Sequence, residues 1–189
     1  VHFNFVYLFT EIAPRMTKSD IVNLLEKKHQ ELFNLIENQP PKKWMSGPEN
    51  KWTFGQHILH LTDSIQLLNK ALSYPKFILK YKFGTSNREN RTYDIVVKKY
   101  REKLAANQER AKQFNIKLKT PSLKEKSFLV NKLKIQNKKL QYKTNKWKDK
   151  DLDTLLIPHP LMGRMTVREI IMWSAHHTEH HIQILNDNY

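Results

Sequence analysis

Apolar residues recur every three or four positions along most of this chain, which is the spacing of an amphipathic α-helix. The pattern predicts helices over residues 19–38, 53–73, 93–110 and 122–146, and a last one over residues 166–186. Prolines and glycines between these segments break the helical pattern. Because the chain has only 4 Gly in 189 residues and most long segments carry this period, the sequence predicts an all-α protein.

The last predicted helix, over residues 166–186, carries four histidines close together. His177 and His181 are one turn apart, which places their Cβ atoms about 5–6 Å from each other. His176 and His180 form a second such pair, rotated by about 100° around the helix. The apolar stripe of the helix runs beside His177 and His181. We therefore expect this pair to face the core and His176 and His180 to lie nearer solvent.

Two imidazoles one turn apart begin a metal site, and a third ligand is needed to complete it. Zinc usually takes three protein ligands when one position stays open for water or substrate. His60 lies on the flank of the second predicted helix and is the third ligand that we predict, with Asp63 one turn later to orient its ring by a hydrogen bond. The alternative for Asp63 is a solvated surface charge. The alternatives for the histidines are a solvated face, or hydrogen-bonded core residues, as we expect for His29.

Composition limits the partners of the chain. A length of 189 residues fits one domain with a sizeable core, and with Cys 0 any metal must be held by histidine and oxygen ligands. The net charge is +15, from 33 Lys and Arg against 18 Asp and Glu, which allows nucleic acid or another anionic partner. Lysine dominates over arginine, the residue that recognises phosphate bidentately. We therefore expect the Lys-rich segment over residues 117–150 to be a solvated helix face.

Several segments lie outside the predicted helices. Residues 1–15 are apolar but lack the basic start of a signal peptide and are too short to span a bilayer. We expect them to be an upstream extension, with Met16 as the natural initiator, followed by one domain over residues 16–189. Residues 75–90 are expected to form a loop and residues 151–164 a connection. No membrane segment is predicted, and the expected location is cytoplasmic.

Three passages together resemble the DinB-like family, which includes thiol-dependent S-transferases. They are WTFGQHILHLTDS at 52–64, IPHPLMGRMTVREI at 157–170 and HTEHHIQIL at 177–185. The resemblance covers nearly the whole chain from Met16. It implies an up-down-down-up type of four-helix bundle with extra loop and helix segments.

The resemblance also implies a ligand set and an ion. Matched residue by residue, His60, His177 and His181 correspond to the metal histidines of the family. The expected cofactor is a divalent ion, zinc or nickel, and the expected assembly is a homodimer. The Lys-rich helix departs from the family pattern, and this affects the substrate rather than the fold.

These observations favour a metal-dependent enzyme, a thiol-dependent transferase or a hydrolase, acting on a small molecule. A low-molecular-weight thiol is one expected partner. The sequence offers no separate nucleophile, so the catalytic species would be a metal-bound water or thiolate, and no catalytic side chain is assigned. Two alternatives stay open: a non-catalytic metal-binding or stress-response bundle, and a nucleic-acid-binding protein that uses the Lys-rich helix.

Overall fold

The computed structural model describes residues 15–109 and 118–189, and four long helices form its centre. In chain order the helices are α1 (Lys18–Asn38), α2 (Phe54–Ala71), α3 (Lys76–Phe83), α4 (Tyr93–Ala106), α5 (Lys126–Lys146), α6 (Asp149–Thr154) and α7 (Val167–Asn188). Short 3-10 turns cover Pro41–Met45 and Leu123–Glu125. Helices α1, α2, α5 and α7 pack around a common core, and α4 packs on the outside of α7. The predicted helical fold is confirmed.

Threonine side chains start three of the bundle helices. Thr17, Thr53 and Thr166 each accept a hydrogen bond from the backbone amide three residues later, and the side chain of that residue bonds back to the threonine amide. Such capping boxes satisfy amides that a helix start leaves without a partner. The starts of α2 and α7, and therefore the helical phase of the histidines on them, are fixed by the local sequence.

Contacts along the helices give their directions. Helices α1 and α5 meet at Lys18–Trp147 and Ile36–Lys126, and helices α2 and α5 meet at Asp63–Lys132 and Asn69–Gln136. Helices α1 and α7 meet at Met16–Arg168 and Lys28–Glu179, and helices α2 and α7 meet at His57–His181 and His60–His177. Between α2 and α5, and between α1 and α7, the residue numbers of the contacts rise together, so these pairs are parallel. Between α1 and α5, and between α2 and α7, one number rises as the other falls, so these pairs are antiparallel. Helices α1 and α7 therefore point one way and α2 and α5 the other.

The connection expected over residues 151–164 is partly regular. It contains α6 and an antiparallel hairpin of β1 (Leu156–His159) and β2 (Gly163–Thr166). Ile157 and His159 are buried, whereas Pro158 between them is exposed, so the strand alternates as a half-buried strand does. Gly163 adopts φ +70° at the turn, a left-handed conformation that glycine tolerates best. The hairpin leads directly into α7.

The prediction of a loop over residues 75–90 is wrong for the first half of that segment. Helix α3 follows Pro75, buries Leu79 and ends at Gly84, whose φ is +81°. The helix is short and buries one large apolar residue among its 8 positions. A segment this short carries too little periodicity for sequence reasoning to separate it from a loop.

The predictions for the beginning of the chain fall largely outside the described residues. Residues 1–14 of the expected upstream extension are not among them, and the boundary at Met16 stays a prediction. Arg15 is described, and its guanidinium pairs with the carboxylate of Asp153. Across residues 15–109 and 118–189, no helix has the length and apolarity that crossing a bilayer requires.

His29 is the hydrogen-bonded core histidine that the sequence predicted. It is fully buried on α1, and its Nδ1 donates to the carbonyl of Leu25 at 2.8 Å. Its Nε2 is buried without a partner among the described residues. Burial lowers the pKa of His29 from 6.5 to about 4, because the charged form loses its hydration. The folded protein therefore holds this imidazole neutral.

Replacing His29 by leucine should weaken the acid sensitivity of the fold. Below pH 6.5 the unfolded chain binds a proton at this histidine that the folded chain does not, so stability is lost as the pH falls towards 4. Between pH ~7 and ~5.5 this amounts to about 1 kcal/mol. Urea unfolding of wild type and His29→Leu at both pH values measures it. An equal loss of unfolding free energy in both proteins would contradict the assignment.

Candidate metal centre

Helices α2 and α7 run antiparallel and bring three predicted site residues together. His60 comes from α2, and His177 and His181 come from consecutive turns of α7. Helix α7 is surrounded by α1, α2, α4 and the hairpin, so most of its first fifteen or so positions are buried. The i,i+4 pair that the sequence placed towards the core does face it: His177 and His181 are buried.

The nitrogens of the three rings converge. Nε2 of His177 lies 3.0 Å from Nε2 of His60 and 3.1 Å from Nε2 of His181. One nitrogen from each ring can be chosen so that all three lie within 4.8 Å of one another. Two nitrogens bound to one ion at about 2.0–2.1 Å, at angles between octahedral and tetrahedral, are roughly 2.9–3.4 Å apart. The two separations from Nε2 of His177 fall in this range, and the third pair of nitrogens lies within 4.8 Å, so the cluster could hold one shared divalent ion.

The three imidazoles are held neutral. Burial is the main cause, with neighbouring histidines adding to it: the pKa of His60 falls to about 4, and the pKa values of His177 and His181 fall well below the usual range. A neutral imidazole keeps the lone pair that a metal needs. The cluster consists of histidines alone, so it adds no negative charge of its own to a bound cation.

Two indole rings set the planes of the α7 histidines. Trp173 stacks on His177 with ring centroids 4.6 Å apart and an interplanar angle of 19°. Trp52 stacks on His181 at 6.0 Å and 10°, and also contacts His60 at 4.9 Å. Stacking of this kind limits ring rotation, because a turned imidazole would collide with the indole. The ligand geometry is therefore supported by packing from both sides.

His57 is a functional candidate that the sequence reasoning missed. It lies one turn before His60 on α2, is buried, and its Nδ1 is 2.8 Å from Nδ1 of His181. Burial, followed by the charges of His60 and His180, lowers the pKa of His57 to about 4. The available signal was the i,i+3 spacing of His57 and His60. Only the structure shows that His57 touches the back of a site histidine rather than the shared point.

The prediction that His176 lies near solvent is wrong, whereas His180 is half-buried. The exposed fraction of His176 is 2%, because α4 covers this face of α7 and places the Tyr100 ring 5.8 Å from His176 and 6.0 Å from His180. Nδ1 of His176 lies 3.1 Å from the carboxylate of Glu179, which also binds Lys28 at 2.6 Å. Glu179 thus faces α1 rather than the three site histidines.

Asp63 lies in the wall of the cavity beside the site histidines, but its side chain is directed towards α5. Its carboxylate is 53% exposed and lies 3.9 Å from Nζ of Lys132 on α5. Within the described parts of the chain, no hydrogen bond joins it to His60. The expected role in orienting His60 has no contact that supports it.

A cavity opens beside the three nitrogens. Its volume is about 1230 Å³, and His60, His177 and His181 lie in its wall. Aromatic and apolar side chains form much of the remaining wall, including Tyr100 and Trp173. Small-molecule sites are typically concave, mostly apolar and on the order of 300–1,000 Å³, so the cavity has room for an organic ligand next to the histidines.

One comparison with known proteins identifies a family. The family model described as the DinB superfamily matches residues 24–185, which includes every residue of the histidine cluster and all four bundle helices in whole or in large part. No curated protein and no solved structure gives a match.

Removing the three histidines should abolish metal binding. We expect the purified protein to hold about one divalent ion per chain, as a complete three-ligand site does. The triple variant His60→Ala, His177→Ala, His181→Ala should hold almost none, measured by elemental analysis after dialysis. His180→Ala is the matched control, because it removes a histidine from the same helix that is not part of the cluster, and it should keep the ion. Equal metal content in the triple variant and the wild type would contradict the site.

Proposed function

We propose that this chain, which belongs to the DinB superfamily, is a metal-dependent enzyme that transfers or hydrolyses a group on a small molecule. His60, His177 and His181 would hold the ion, with zinc or nickel as the proposed metals. The observation that carries the proposal is the convergence of three neutral Nε2 atoms, 3.0 and 3.1 Å apart, in the wall of a large cavity.

The three histidines lie in the wall of the cavity, and their chemistry favours an anionic partner bound to the ion from the cavity. When bound, a divalent ion lowers the pKa of a thiol or water ligand and polarises an electrophile. Because the three imidazoles are neutral, they leave the positive charge of such a centre uncompensated. A thiolate is a soft anion that zinc and nickel accept readily. This supports the proposal of a low-molecular-weight thiol as one substrate.

The cavity supports an organic second substrate. Tyr100, Leu104, Leu161 and Trp173 line it, and such walls exclude water and bind apolar surface. Ser64 also lies in the wall, but it is in the middle of α2 and not on the strand-to-helix turn that presents a serine nucleophile. A thiol-dependent transferase is therefore the first form of the proposal, and a hydrolase the second.

A non-catalytic metal-binding bundle is the alternative that the same geometry allows. The cluster joins α2 to α7, so an ion there would also clamp two helices together and raise thermal stability. The two functions differ in whether the ion exchanges ligands on the side that faces the cavity. A catalytic centre exchanges ligands from the cavity, whereas a structural centre does not.

The Lys-rich helix α5 supports nucleic-acid binding poorly. Lys132, Lys134 and Lys138 lie 3.9, 3.8 and 2.8 Å from the carboxylates of Asp63, Glu37 and Glu26. Lysines engaged with neighbouring helices are less available for phosphate contacts. A solvated face with ion pairs along its edges fits these contacts better.

A cytoplasmic location and a homodimer stay predictions. The chain has Cys 0, which is compatible with a reducing compartment. Light scattering of the purified protein would measure the mass of the assembly.

Turnover should depend on the metal and on the histidine cluster. Protein loaded with Zn²⁺ or Ni²⁺ should react with a small thiol plus an alkylating electrophile, or with a panel of activated esters and amides. We expect His177→Ala to lower kcat/KM at least ~100-fold, because it removes a ligand of the activating ion. The control His180→Ala should stay close to wild type.

Two outcomes would decide against the enzyme. Fully loaded wild type that turns over no member of either panel would favour the structural centre. Turnover that His177→Ala leaves unchanged would place the reaction elsewhere in the chain.

A further inference from the structure

A chain of hydrogen bonds connects a backbone carbonyl to one of the three site histidines. The hydroxyl of Tyr189 donates to the carbonyl oxygen of Trp52. Nε2 of His57 lies 3.3 Å from that same hydroxyl oxygen. Nδ1 of His57 then lies 2.8 Å from Nδ1 of His181. His181 is thus held from behind, on the nitrogen that does not face the cluster.

The Trp52 carbonyl, at one end of this series of hydrogen bonds, determines which atom donates and which accepts in each of them. A carbonyl oxygen only accepts, so Tyr189 uses its single O–H proton on Trp52. The hydroxyl oxygen must then accept, which requires the N–H of His57 to be on Nε2. A neutral imidazole has one N–H, so Nδ1 of His57 is an acceptor. The proton between the two Nδ1 atoms therefore belongs to His181.

The consequence appears on the other side of the His181 ring. With its one proton on Nδ1, neutral His181 has a bare Nε2, and this atom lies 3.1 Å from Nε2 of His177. In the opposite tautomer the Nε2–H of His181 would donate to His177 across that distance. The proton of such a bond would take up the Nε2 lone pairs of both His181 and His177, and neither would be free for a cation.

We infer that His57 and Tyr189 are positioning residues, which hold His181 in the Nδ1–H tautomer so that its Nε2 lone pair is free for the ion. This inference rests on the proposed metal centre. Hydrogen bonds from the outer nitrogen of a ligand histidine orient the ring and raise its affinity for metal. Burial of His57 and His181 strengthens the arrangement, because no bulk water competes for the bond. Neither His57 nor Tyr189 touches the shared point itself.

Two variants separate the hydrogen bond from the space that His57 fills. His57→Leu removes the acceptor and keeps a side chain of similar bulk. His57→Asn retains an oxygen near the position of Nδ1 and should accept from His181, so it serves as the conservative rescue. Tyr189→Phe removes the hydroxyl that orients the proton of His57. His180→Ala is the control, since it alters the residue beside His181 without touching the chain of bonds.

The first measurement uses the metal-free protein. Long-range ¹H–¹⁵N spectra show which ring nitrogen of each histidine carries the proton. We expect His181 to be the Nδ1–H tautomer in wild type, His180→Ala and His57→Asn. We expect a shift to Nε2–H in His57→Leu and a mixture in Tyr189→Phe.

The second measurement is the affinity for Zn²⁺, by competition with a chelator, or for Co²⁺, by its visible spectrum. His57→Leu should bind either ion roughly 10- to 100-fold more weakly, as loss of an outer hydrogen bond to a ligand does. His57→Asn should recover most of that loss. Circular dichroism checks that each variant folds, and if His57→Leu does not fold, the tautomer of His181 in Tyr189→Phe decides instead.

The outcomes are distinguishable from those of the proposed function. Failure of the wild type to bind Zn²⁺ or Co²⁺ would end the metal centre, while the tautomer of His181 would still test the chain of bonds. Nε2–H on His181 in the metal-free wild type would overturn the inference. So would a His57→Leu protein with wild-type tautomer and affinity, or an unchanged tautomer in Tyr189→Phe if His57→Leu does not fold.

Discussion

Three neutral imidazole nitrogens meet between two antiparallel helices, and the rest of the fold keeps them there. His60 reaches across from α2 to His177 on α7 through the 3.0 Å contact of their Nε2 atoms, and its ring lies 5.0 Å from the ring of His181. Lone pairs that face each other in a buried place repel unless a proton or a cation lies between them. A divalent cation bonded to all three nitrogens would remove this repulsion at once, which a single proton between two rings cannot do.

Ion pairs at the start of α7 support the site from a distance. Arg88 binds the buried carboxylate of Glu169 through bonds of 2.6 and 2.8 Å. Burial would raise the pKa of Glu169, but its bonds to Arg88 and Arg91 lower it below the usual value, so the carboxylate stays charged. On the same turn, Arg168 donates to Asp153 at 2.5 Å. These contacts fix the rotation of α7 two turns before His177.

Much of the candidate site could be predicted because its signals are local. The i,i+4 spacing of His177 and His181 beside an apolar stripe requires one helix only, and His60 follows from the flank of another. His57 and His176 could not be placed, because their surroundings come from tertiary contacts. His57 meets His181 across two helices, and α4 covers His176. The hairpin and α3 were missed because such short elements carry little periodicity.

X-ray absorption at the metal edge of the Zn²⁺-loaded protein tests the central claim most directly, because it counts the ligands around the ion. We expect three imidazole nitrogens at about 2.0–2.1 Å, plus at least one exchangeable ligand, such as a water oxygen, on the cavity side. Fewer than three imidazoles, or a shell made of oxygen atoms only, would contradict the sharing of one ion by His60, His177 and His181.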